Sequence, residues 1–170
     1  MRFAVSVLVM FAATLALAAE ETLPTLPKLE SGQYGYQEVV TVEGVESPEL
    51  LSRARAWVAK TYESANAVIQ LDDPAGTLVV KGIFTVKAYL GGASINHVIT
   101  IEAKSGRYRC TLSDYVYAEH WPVETWHPGE PFGTAAGTEK MRGRVAAASQ
   151  AIIASLKAAM LAPTPAKSNW

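Results

Sequence analysis

The residues of this chain with chemistry to offer are three histidines, one cysteine and a belt of cations interleaved with aromatic rings. His120 and His127 stand near Glu119, Glu124 and Glu130, which are donors of the right type for a divalent metal. A proline-containing loop at that spacing fixes no ligand geometry, so solvated loop histidines are expected and no metal. His97 falls on the apolar phase of a strand, which predicts a hydrogen-bonded core histidine rather than a catalytic base. Cys110 shares the phase of Tyr108 and Leu112. It is expected as a buried structural thiol, with no histidine or acid placed beside it to make it a nucleophile. Asp114 lies on that same phase. It is either a buried carboxylate with a raised pKa or, where a bulge or an edge turns it outward, a solvated one. No nucleophile elbow, phosphate loop or cysteine pair is present. No catalytic residue and no cofactor is therefore expected.

The polar phase of the strands offers more. Lys81, Lys87, Tyr89, Arg109, Tyr115 and Tyr117 combine positive charge with rings, a surface able to hold bases or sugars by stacking and charge. Trp121, Trp126 and Phe132 in the following loop extend it into a groove for a glycan or a peptide. The competing reading is an ordinary solvent face, where tyrosine and threonine serve cross-strand packing. In that reading the tryptophans anchor the loop over the sheet edge.

Strands and helices must place these residues. Residues 34–42, rich in aromatic and β-branched side chains, predict a first strand. Ser47, Pro48 and Glu49 supply an N-cap hydroxyl, a proline at the first helical position and an acid where the helix dipole favours it. A helix over 48–62 follows, with Leu50, Ala54, Trp57, Val58 and Thr61 as its apolar stripe and Arg53, Arg55 and Lys60 toward water. From Ala67 the period changes to two. Strands are expected over 68–71, 77–89, 94–103 and 107–118, separated by turns at 72–76, Gly91-Gly92 and Ser105-Gly106. Gly82 falls on an apolar strand face and marks a bulge or a close helix crossing. In the last strand Tyr108, Cys110, Leu112, Asp114 and Val116 oppose Arg109, Thr111, Ser113, Tyr115 and Tyr117. Residues 119–137 show neither period and read as a long loop. Thr138 is expected to cap a closing helix that runs to about residue 161 through Met141, Val145, Ala148, Ile152, Leu156 and Met160. The order strand, helix, four strands, helix is that of an α+β domain whose sheet carries helices on one face.

The ends of the chain speak to location. Arg2, the apolar or small run from Phe3 to Leu17, and Ala16, Ala18 and Ala19 before Glu20 predict a secretory signal peptide over residues 1–19. The run is shorter than the ~20 apolar residues that cross a bilayer. Export to the periplasm or beyond the cell is expected, with no membrane span in the mature form. Roughly 150 residues then remain, enough for one domain that buries about 70% of its unfolded surface. The net charge of −1 recruits no phosphate polymer, so nucleic acid is not an expected partner. Residues 20–33, with Pro24, Pro27 and Gly32, read as a flexible lead-in, and 162–170 as a disordered tail behind a single domain over 34–161.

The run Tyr36-Gln37-Glu38-Val39-Val40, leading into a helix with Ala54-Arg55-Ala56-Trp57-Val58, resembles a bacterial exported family of unknown function with a TATA-binding-protein (TBP)-like fold. The resemblance continues through Val68-Ile69-Gln70-Leu71-Asp72, Gly82 and Gly106-Arg107-Tyr108-Arg109, and covers about residues 34–118. It implies a curved antiparallel sheet backed by two helices. It implies no activity and carries no site residues, and a fold shared with a DNA-binding protein does not transfer that function.

The expected role is a non-catalytic binding or accessory module of the bacterial cell envelope, recognising a protein, peptide or glycan. The alternatives are an enzyme with a site near His97, Asp114, His120 and Glu119, or an assembly subunit that pairs through a sheet edge.

Overall fold

A computed structural model describes residues 22–62, 69–88, 91–127 and 131–163. The expected signal peptide lies outside these residues, as do Tyr89, Glu130 and the end of the tail. The elements run β1 (Tyr36–Thr41), α1 (Ser47–Thr61), β2 (Ile69–Asp73), β3 (Thr77–Ala88), β4 (Gly91–Lys104), β5 (Arg107–Tyr117), β6 (Trp121–Pro122), a 3-10 turn (Val123–Thr125) and α2 (Ala135–Leu161). Among the described residues the strands form one antiparallel sheet in the order β1-β5-β4-β3-β2, with β6 pairing β5.

Alternation decides which face of this sheet is dry. Leu78, Val80 and Val86 of β3 and Ile95, Ile99 and Ile101 of β4 are buried, while Lys81, Ile83 and Thr85 point to water. Each fully buried Leu or Ile contributes roughly 1.5–3 kcal/mol. The helices cover that face with Leu50, Leu51, Ala54, Trp57 and Val58 of α1 and with Met141, Val145, Ala146, Leu156 and Met160 of α2. They also join each other, since Trp57 Nε1 donates to Ser155 Oγ at 3.1 Å. Arg53, expected in water, instead donates from Nη1 to the Met160 carbonyl at 2.7 Å, satisfying an orphan acceptor in the last turn of α2.

The helix starts also differ from expectation. α1 has no side-chain cap, because the Ser47 hydroxyl donates to the Ala103 carbonyl at 3.0 Å and ties the helix to the end of β4. α2 begins earlier than Thr138, with Thr134 Oγ1 accepting from the Gly137 N–H at 2.9 Å. Gly91 and Gly92, expected as a turn, are paired strand residues opposite Ala88 and Lys87. The lead-in is packed rather than free. Leu26 is buried, Lys28 bridges to Tyr34, and Gly143 of α2 makes room for Leu23, whose Cβ would lie 2.6 Å from a Cβ placed there.

The largest departure is in β5. Asn96 pairs with Val116 but Val98 pairs with Ser113, so His97 faces two residues, Asp114 and Tyr115, across a β-bulge. Asp114 takes φ +56°, a left-handed conformation that Asp tolerates better than most side chains. The extra residue inverts the phase of everything after it. Asp114 is exposed, and Tyr115 and Tyr117, expected on the solvent face, turn toward the helices.

Candidate functional site

The cation and ring surface expected on the open sheet face does not assemble there. Lys81 is exposed on it, but Arg109 is occupied, its guanidinium gripping Glu102 through two bonds of 2.6 Å. That pairing holds the Glu102 carboxyl below its ordinary pKa. Tyr115 is fully buried and hydrogen-bonded to Ser149 Oγ at 2.8 Å, and burial pushes its phenol upward. Trp126 is buried, so it is a packing residue rather than a contact surface, whereas Trp121 is exposed. Trp126 Nε1 donates to the Trp121 carbonyl at 3.0 Å.

The groups with catalytic chemistry sit in different surroundings, His97 and Cys110 buried, Asp114 and His120 exposed. His97 is enclosed, with Nε2 2.8 Å from the Tyr62 hydroxyl and its ring 5.0 Å from Phe84. Gly82, paired with His97, is what admits Tyr62, since a Cβ there would lie 2.5 Å from that ring; the glycine marks a close approach and no bulge interrupts the β3–β4 register. Burial holds the His97 pKa down to about 4. Contact with the Ile95 backbone works against this shift but is the smaller of the two influences. Asp114 stands on the opposite side of the sheet, held by Ser113 Oγ at 2.7 Å. His120 is exposed, Nδ1 2.6 Å from the Ala118 carbonyl. Cys110 is buried and its thiol is pushed up to about 12, first by burial and then by the charge of Glu38. Among the described residues no three His, Cys, Asp or Glu side chains gather as metal ligands.

A different concavity brings several predicted and unpredicted residues together. At the β3–β4 hairpin end, facing the start of α2, lies a groove of about 890 Å³. That volume is in the range of small-molecule sites. Lys87, Lys140 and Arg144 supply its charge, and Tyr117, Phe132 and Met141 its apolar surface. The rings are fixed in series: Trp126 meets Phe132 edge-on at 4.8 Å, and Phe132 meets Tyr117 at 5.1 Å. Of the residues expected to bind, Lys87 and Tyr117 line the groove directly and Trp126 braces its wall.

Glycines make the space. Gly91 adopts φ +139°, which side chains rarely adopt, and it and Gly92 present no side chain to the groove. Gly137 lets the first turn of α2 close on the preceding loop, because a Cβ there would lie 2.7 Å from the Phe132 carbonyl. Lys140 and Arg144 sit four residues apart on one helix face, where like charges repel by a few tenths of a kcal/mol (about 0.2–0.5). Arg144 Nη1 donates to the Lys87 carbonyl at 2.6 Å, fastening α2 to the hairpin end. None of the three cations has an ion-pair partner among the described residues. Sequence reading missed Lys140 and Arg144 because they pass for the solvated face of an amphipathic helix. Their one sequence signal is two cations at helical spacing with no acid to separate them.

Residues 36–118 match the model of a domain of unknown function with a TBP-like fold, DUF4468. Among solved structures the chain is similar to a TBP-like protein from Parabacteroides distasonis, with TM-score 0.65 and 16% identity over 82% of this chain and 99% of that one. It is similar also to a DUF4468 family protein from Bacteroides ovatus, with TM-score 0.64 and 18% identity over 82% of this chain and 94% of that one. No curated protein matches the chain.

Proposed function

We propose that this chain, a member through residues 36–118 of the DUF4468 family of domains of unknown function with a TBP-like fold, is an exported, non-catalytic binding module of the cell envelope. The groove between the β3–β4 hairpin end and the start of α2 is its ligand site. The observation that supports this reading is the meeting around one cavity of three apolar side chains and three cations that have no ion-pair partner among the described residues, while His97, Cys110 and Asp114 do not line it. A site of that kind holds a molecule and orients it, and its described lining includes no histidine, cysteine or carboxylate. Export rests on the composition of residues 1–19.

The test is to add the small-molecule fraction of the native envelope to the isotopically labelled protein and follow its backbone amide resonances. We expect displacements concentrated at Gly91, Gly92, Gly137 and Met141. Displacements concentrated instead over Lys81, Thr100 and Thr111 would return the site to the open sheet face, and catalytic turnover of any component would end the non-catalytic reading.

A further inference from the structure

We infer that the ligand of this groove carries a compact, multiply charged anion of the phosphate type joined to a ring or short apolar portion. This rests on the groove being the binding site and adds the chemical class of its occupant. The charge argument comes first. The chain is slightly acidic overall, yet Lys87, Lys140 and Arg144 meet at one cavity with no acid among its described lining residues. Holding like charges together is unfavourable in the empty protein and becomes favourable when an anion sits among them. A single carboxylate would leave two of the three charges uncompensated. A phosphate dianion offsets two of the three and has oxygens enough to accept hydrogen bonds from all of them, with Lys as a mobile point charge and Arg as a planar fork.

The fork is pre-positioned. Arg144 already donates one N–H to the Lys87 carbonyl, which fixes the guanidinium at the rim and costs less ordering on binding. The positive end of the α2 dipole, capped by Thr134 in the groove lining, adds to the same field. The shape argument comes second. Tyr117, Phe132 and Met141 line the same cavity as the cations, so a bare inorganic ion would leave that surface wet. A ring or short chain attached to the anion would cover it, and stacking on Tyr117 or Phe132 would add to affinity. The anion could reach the groove on a soluble ester or on a lipid headgroup.

Calorimetry with phenyl phosphate, inorganic phosphate and benzyl alcohol separates these parts. Phenyl phosphate should bind at least about tenfold more tightly than either of the other two, and more weakly as salt is raised. Lys140→Gln and Lys87→Gln should each weaken it by several-fold with no loss of Tm, since both side chains are exposed and each removes a like-charge repulsion. Lys81→Gln on the sheet face should leave it unaltered. Sedimentation with vesicles of phosphatidylcholine, with and without phosphatidic acid, assigns the source. Retention only on the anionic vesicles gives a headgroup, and binding to phenyl phosphate without retention gives a soluble ester. If benzyl alcohol displaces the Gly91, Gly92 and Gly137 amides while neither phosphate compound binds, the anion inference falls and the groove stands. If phenyl phosphate displaces the Lys81 and Thr100 amides instead, the groove itself falls.

Discussion

His97 is enclosed by Tyr62 and Phe84, and burial lowers its pKa from 6.5 to about 4. Between those values the unfolded chain binds a proton that the folded protein does not. Its contribution is therefore fully present above about pH 6.5 and is lost as pH falls toward about 4, at a cost of roughly 2–3 kcal/mol. Urea unfolding near neutral pH and at about pH 4.5 should show this loss in the native protein and a clearly smaller one in His97→Gln. Equal losses in both would place the acid sensitivity elsewhere. The inward placement of His97 and Cys110 could be read from the strand period alone. That of Tyr115 and Tyr117 could not, because one added residue at Asp114 reverses every side chain beyond it. The only local trace is the residue type, an aspartate where a left-handed φ of +56° is required.

Among the elements, β5 and the segment leading to α2 decide where the rings go. Replacing Asp114 by Gly should leave stability unchanged or raise it slightly. Asp114→Val should lose about 1–2 kcal/mol, because a β-branched side chain resists that conformation. Thermal unfolding of the two variants reads the difference, and an equal loss in both would locate the cost in the carboxylate contacts with Ser113 and Gln33. The two loop tryptophans should separate in the same way. Trp126→Ala should cost about 3–5 kcal/mol in denaturant unfolding, as a large buried ring does. Trp121→Ala, at an exposed residue whose backbone carbonyl, kept by the substitution, accepts from Trp126, should cost less than about 1 kcal/mol. Reversed costs would put Trp126 at the surface. The two amphipathic helices were legible from apolar spacing. The α2 start was not, because Thr134 and Thr138 both offer a capping hydroxyl and only the chain ahead of them determines which is used: Thr138 donates to the His127 and Thr134 carbonyls, and Thr134 caps. α2 is also long and apolar enough to cross a membrane by length and composition, but its Met141, Val145, Leu156 and Met160 are spent on the sheet.

For the molecule as a whole, alternating strands and two amphipathic helices carry enough pattern to specify an antiparallel sheet covered on one face. Solved structures with TM-scores of 0.65 and 0.64 share that fold at 16% and 18% identity, which shows how little it depends on particular side chains. The groove is different in kind. It is built from Lys87 at a hairpin end, Tyr117 beyond a bulge, Phe132 in a loop and Lys140 with Arg144 on a helix, and no local pattern announces that these will meet. The open sheet face is the natural expectation because its cations are visible in one strand period, but Arg109 is neutralised by Glu102, and Tyr115 and Tyr117 are turned away. The most direct measurement is the rise in Tm that the envelope small-molecule fraction gives to the native protein, compared with Lys140→Glu in the groove and Lys81→Glu on the sheet. We expect Lys140→Glu to abolish the rise and Lys81→Glu to retain it, whereas loss only in Lys81→Glu would contradict the groove as the site of binding.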